Sequence, residues 1–192
     1  MIRDSAGNLY GTTVAGGRGN QGTAYRIDPH GTETILHVFF YNGTRIDGAG
    51  PYGGLISDAA GNLYGTTDSG GAFNAGTVFK IDVSGAEHLL YSFAGYPTDT
   101  AFPDSSLVRD ASGNLYGVGG AGGTDGHGTV FKLDSTRSET LLYLFPGGLD
   151  GAVPVGGLIR DESSGDLYGT TQNGGGNSGT SGNGVVFKLT SP

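Results

Sequence analysis

At 192 residues and 19.4 kDa, with a formal net charge of −8 and a pI near 4.7, the chain is the size of one domain and has no basic surface for nucleic acid or anionic lipid. It contains no cysteine, which excludes a disulfide framework, a thiolate zinc site and a cysteine nucleophile. Glycine supplies 40 residues without a three-residue period, which excludes collagen, and the aromatic and β-branched residues between them exclude disorder.

In chain order, MIRD at 1–4 reads as a short strand (position a), a Ser-Ala-Gly-Asn turn follows, and LYGTT at 9–13 reads as a second strand (position b). A glycine-rich loop, VAGGRGNQ at 14–21, leads to a third strand in GTAYRID at 22–28 (position c). A short turn then leads to a fourth in ETILHVFF at 33–40 (position d). The same series returns as GGLISD 53–58, GNLYGTT 61–67, GTVFKID 76–82 and EHLLYSF 87–93. It returns again as SSLVRD 105–110, GNLYGVG 113–119, GTVFKLD 128–134 and ETLLYLF 139–145. The last copy is GGLIRD 156–161, GDLYGTT 165–171 and GVVFKLT 184–190, without a fourth strand. The a–b and c–d connections are short and rich in Asp, Asn, Ser and Gly, as hairpin turns require. No window carries a sustained helical period, and no apolar stretch approaches the ~20 residues of a membrane span. Met1-Ile2-Arg3-Asp4 runs straight into the repeat, so no signal peptide is expected.

Four antiparallel strands in ~50 residues is the size of a propeller blade. The predicted fold is an all-β propeller of four blades, about 1–52, 53–104, 105–155 and 156–192, the last lacking its outer strand. A β-solenoid-like array is the competing repeat fold. Glycine recurs in the middle of strand b, at Gly11, Gly65, Gly117 and Gly169, which implies close approach of another group. With blades stacked face to face, the expectation is that the tyrosine of one blade (Tyr10, Tyr64, Tyr116 or Tyr168) lies over the glycine of another. Three arrangements stay open: a self-closed four-blade ring, a fragment held by a partner chain, and two copies forming an eight-blade ring. Self-association, as a dimer, is the expected partner behaviour.

The GGLIRDxxGNLYGTTxxGG…GTVFKID pattern resembles the GloVer tandem repeat of exported bacterial proteins, and more distantly NHL-type and gluconolactonase-like propellers. The resemblance implies repeat architecture and an extracellular or cell-surface location. It brings no catalytic motif. The chain departs from the pattern at Gly119, where other copies have Thr, at Asp166, where they have Asn, and in a longer loop at 172–183.

In a propeller the long b–c and d–a loops share one face. Three d–a loops repeat an aspartate four residues before a proline: Asp47, Asp99 and Asp150 precede Pro51, Pro103 and Pro154. One reading makes these aspartates a cation or sugar site; carboxylates and carbonyls suit Ca²⁺, the one cofactor implied. The other makes each an Asx-turn ahead of the bend. Asp4, Asp58, Asp110 and Asp161 read as turn formers. His127 lies on the loop-rich face without a serine elbow or paired histidine, so no catalytic residue is assigned. Tyr52 and Tyr96, with Phe73 and Phe102, are candidates to stack on a sugar ring, and equally to cover a blade edge or form an oligomer contact. The function expected is a non-catalytic module that binds a glycan or protein through this face. The alternatives are a lactonase-like or glycan-cleaving hydrolase with a metal-assisted site there, and a purely structural or engineered repeat fragment.

Overall fold

In a computed structural model of the chain, residues 1–43, 47–176 and 182–191 are described. The first sheet is β1 (Ile2–Arg3), β2 (Leu9–Thr13), β3 (Thr23–Ile27) and β4 (Glu33–Val38), paired in chain order. A short strand, β5 (Gly48–Ala49), lies in the loop that follows. The second sheet comprises β6 (Ile56–Ser57), β7 (Leu63–Thr67), β9 (Thr77–Ile81) and β10 (Glu87–Ser92), with β8 (Ser69–Gly70) in its b–c loop. After β11 (Thr100–Ala101), the third sheet comprises β12 (Val108–Arg109), β13 (Leu115–Gly119), β15 (Thr129–Leu133) and β16 (Glu139–Leu144), with β14 (Ala121–Gly122) in its b–c loop. The fourth has three strands, β17 (Leu158–Arg160), β18 (Leu167–Thr170) and β19 (Val186–Leu189). All pairs are antiparallel, and helix is limited to two three-residue 3₁₀ turns among the described residues. Each unit is its own meander, so the strands do not run from unit to unit as in a solenoid.

The turns fold as their residues dictate. Asp58 accepts from the Asn62 backbone N–H at 2.9 Å, the Asn62 side-chain amide at 2.8 Å and the Tyr64 hydroxyl at 3.0 Å. Asp4 and Asp110 make the same clasp with Asn8 and Tyr10, and with Asn114 and Tyr116. The fourth a–b turn is one residue longer. There Asp161 caps Ser163, and Asp166, in place of Asn, pairs with Lys188 at 2.6 Å.

Packing between sheets is built from one aromatic step, repeated three times. Phe39 meets Phe79 with ring centroids 5.0 Å apart, Phe93 meets Phe131 at 4.9 Å, and Phe145 meets Phe187 at 5.1 Å, all edge to face. Each step sits in one of three apolar clusters, between the first and second, second and third, and third and fourth sheets. No cluster joins the fourth sheet to the first among the described residues.

The recurring glycine has a different partner from the one the sequence suggests. The ring over Gly65 is Phe79, its register partner on the adjacent strand of the same sheet; Tyr25, Phe131 and Phe187 lie over Gly11, Gly117 and Gly169. Tyr64 precedes Gly65 in an extended strand, so its side chain leaves from the opposite face and packs toward the third sheet.

Candidate functional site

Short ribbons place the long loops together. Gly48 of β5 pairs with Gly70 of β8, Thr100 of β11 with Gly122 of β14, and Ala152 bridges to Asn173. Each d–a loop is therefore tied to the b–c loop of the following unit, and both loop sets share one face. Pro51, Pro103 and Pro154 pack against Gly22, Gly76 and Gly128, where a Cβ would meet the proline Cδ at 2.6, 2.5 and 2.4 Å.

The three repeated aspartates hold separate positions. Asp47 is buried, accepts from the Phe40 and Gly48 backbone N–H groups at 3.1 and 2.9 Å, and pairs with His37 Nε2 at 3.2 Å. Asp99 is buried too and accepts from Ala94 N–H at 2.7 Å, Thr100 N–H at 2.6 Å and the Tyr91 hydroxyl at 3.2 Å. Both aspartates thus fasten the end of strand d to the loop after it. Asp150 is exposed, in the 3₁₀ turn Gly148–Asp150; burial, then the charge of Asp150, raises the pKa of Tyr143. The group of described residues whose ligand atoms converge, all within 4.8 Å, is instead His37, Asp47 and Glu87. Its counterpart one seam on is Tyr91, Asp99 and Glu139. There burial, then the charge of Asp99, pushes Glu139 up to about 7, and Glu139 Oε1 is buried without a hydrogen-bond partner.

Tyr96, 65% exposed, lies beside Gly126, where a Cβ would be 3.6 Å from its ring. Half-buried His127 follows directly, and its carbonyl accepts from Val153 N–H at 2.8 Å. Tyr52 is 58% exposed and flanks Gly50, which also borders Asp68.

Asp68 leads to a pair of residues that the repeat comparison passes over. Burial raises the carboxyl of Asp68; burial, then the charge of Asp68, raises that of Asp104, against a lowering contribution from Asp104's own backbone N–H. Oδ1 of Asp104 is buried with no hydrogen-bond partner in the protein. At the homologous seam positions one unit on stand Gly120 and Val155, where a Cβ on the glycine would lie 3.6 Å from Val155 Cγ1. Neither acid recurs at its position in the repeat, which sets the pair apart from Asp47, Asp99 and Asp150. The signal lay in the alignment: Asp68 replaces Val14, Gly120 and Gln172, and Asp104 replaces Tyr52 and Val155. Tyr52 shares the border of Gly50 with Asp68, and 45%-exposed Phe102 lies two residues before Asp104, so both offer aromatic surface on the same loop face.

The family model of the Gloeobacter/Verrucomicrobia repeat matches residues 1–192. The chain belongs to this family. Among solved structures, this Gloeobacter/Verrucomicrobia repeat chain is similar to a streptogramin B lyase, with TM-score 0.56 and 14% identity over 100% of this chain and 53% of that one. It is similar to a putative gluconolactonase, with TM-score 0.55 and 15% identity over 98% of this chain and 58% of that one. The virginiamycin B lyase of Staphylococcus aureus gives TM-score 0.52 and 13% identity over 98% and 54%. The chain therefore spans just over half the length of these structures. At such identities the likeness shows a propeller-like fold alone. No curated protein matches the chain. No helix among the described residues is long and apolar enough to cross a membrane.

Proposed function

We propose that this repeat chain is a non-catalytic binding module, exported to the cell surface or beyond, that takes a glycan on its loop-rich face. The observation that carries the reading is the half-buried pair Asp68 and Asp104, the acceptor Oδ1 left without a partner, beside exposed Tyr52 and Phe102. Carboxylates accept strong hydrogen bonds from sugar hydroxyls, and an aromatic face covers the apolar side of a pyranose ring. The proposed location rests on the family. A glycan array followed by calorimetric titration tests the module. Binding is expected to fall at least tenfold in Asp104→Asn and in Tyr52→Ala, with melting temperatures little changed. An array without hits, or hits insensitive to both substitutions, overturns the reading.

A second reading, a lactonase-like or glycan-cleaving enzyme, is favoured by the same raised carboxyls, because a carboxyl of raised pKa suits proton transfer. The lyase and lactonase neighbours motivate the assay. Turnover of a lactone or oligosaccharide panel that Asp104→Asn abolishes would move the conclusion from binding to catalysis.

A further inference from the structure

The a–b and c–d turns lie at the opposite end of the units from the loop-rich face, because a meander reverses at its two ends in alternation. At that end a cleft of about 260 Å³ lies between the second and third sheets. Lys80 of β9, Arg109 of β12 and Arg137 of the turn after β15 line it, with Tyr64 and Asp134. Three of the chain's ten lysine and arginine side chains thus meet in one cleft of a protein whose net charge is −8. None of the three is ion-paired among the described residues. Arg109 sits 5.9 Å from the centroid of the Tyr64 ring, and its Nε is buried without a hydrogen-bond partner. The carboxylate in the lining, Asp134, already accepts at Oδ1 from the Thr136 N–H and hydroxyl and from the Ser138 N–H. Three cations against one carboxylate leave two positive charges in excess.

The repeat itself does not require this cluster. In the corresponding cleft between the first and second sheets Arg26 stands for Lys80, but Ser57 and Gly85 stand where Arg109 and Arg137 do, and Asp82 is in the wall. At the third seam Arg160, the counterpart of Arg109, pairs with Glu162 at 2.8 Å. Arg137 also runs against the preference of its own backbone. The first two c–d turns place Gly31 and Gly85 at this position, each at φ +86°. Arg137 takes the same left-handed turn at φ +68°. Glycine enters that region freely and a side chain does not, so the turn alone favours glycine. Strained residues of this kind cluster where a ligand is held.

We propose that this cleft binds a dianionic tetrahedral oxyanion, phosphate or sulfate, between Lys80, Arg109 and Arg137. Two positive charges in excess match a dianion. The two guanidinium forks and the ammonium come from different elements, so their donors reach the oxygens of one anion from several directions. The Tyr64 ring backs the Arg109 guanidinium. The site does not depend on what Asp68 and Asp104 bind at the other end of the units.

Calorimetric titration of the chain with inorganic phosphate and with sodium sulfate, at low ionic strength, tests the site. Saturable binding of a single anion is expected, weakening as sodium chloride is added. Arg137→Gly restores the residue of the other turns, so it should melt no lower than the native chain yet bind on the order of tenfold more weakly. Arg109→Ser, which copies Ser57, should weaken binding in the same way. Arg26→Gln at the first seam and Asp104→Asn on the loop-rich face should leave it unchanged. A hexose phosphate that binds more tightly than inorganic phosphate would support a sugar-borne anion as the natural ligand, and equal affinities would support the free ion. A native chain that binds neither phosphate nor sulfate saturably overturns the proposal. So does binding that Arg137→Gly and Arg109→Ser both retain, and so does binding that Arg26→Gln weakens as much as they do.

Discussion

The ring of Phe79 lies across Gly65 so closely that a Cβ at position 65 would stand 2.6 Å from the phenyl Cζ, and 3.0 Å from Cδ2 of Leu55. The same ring packs edge to face on Phe39 of the preceding sheet. The missing side chain at 65 therefore sets how deeply the seam phenyl can sit, and through it how closely two sheets approach.

Gly65→Ala is expected to destabilise the chain by about 1–3 kcal/mol through overpacking. Gly85 is a suitable comparison: nothing lies within 4 Å of a Cβ there, and only its φ of +86° resists the change. Gly85→Ala should cost about 1 kcal/mol. Gly71 would be a poor control, since its φ is +75° and a Cβ would meet Ser92 Oγ at 2.8 Å. Urea melts of the variants check the order; equal midpoints would remove the steric role of Gly65.

The Asp58 clasp should respond to loss of either partner. Burial raises the Asp58 carboxyl, but its hydrogen bonds from Asn62 and Tyr64 outweigh that and hold it below the usual range. Tyr64→Phe removes one charged-acceptor bond and should cost about 1–2 kcal/mol. Asp58→Ala should cost more, because it strands several donors at once. A thermal melt in which Asp58→Ala matches the native chain would show that the turn holds without its carboxylate.

Stability should fall as pH rises from about 4.5 toward 7, through Glu139. Its folded pKa, about 7, lies above the unfolded value of 4.5, so the native state binds more protons across that window. The contribution is complete below the unfolded value and is lost as pH passes the folded one. Solvent reaches part of this carboxyl, so the loss is about 1 kcal/mol rather than the full linkage value. Glu139→Gln should flatten that part of the profile in melts from pH 4 to 8, and an unchanged slope would assign it to another group.

Asp99→Asn tests the stapling role against an ion. Replacing the carboxylate puts an amide where three donors converge, and should cost about 1–3 kcal/mol in calcium and in chelator alike. If the native chain instead gains melting temperature with Ca²⁺ and Asp99→Asn does not, the ion reading of the repeated aspartates holds.

The sequence by itself determined the unit. The recurrence of LYGTT, TVFKI and the Asp-x-x-Gly-Asn turn was enough for the strand order, the hairpins and the loop-rich face, because those features depend on contacts close along the chain, such as Asp58 with Asn62 and Tyr64. What faces what across a sheet was legible only in part. Alternation separates Tyr64 from Gly65, but register decides that Phe79 covers the glycine. Tertiary structure alone decided the chemistry of the site. Repetition drew attention to Asp47 and Asp99, whose carboxylates fold inward onto backbone N–H groups, whereas Asp68 and Asp104 gain raised pKa values only when two adjacent units remove them together from water. Desolvation and charge coupling depend on distance in space, which a pattern along the chain does not encode.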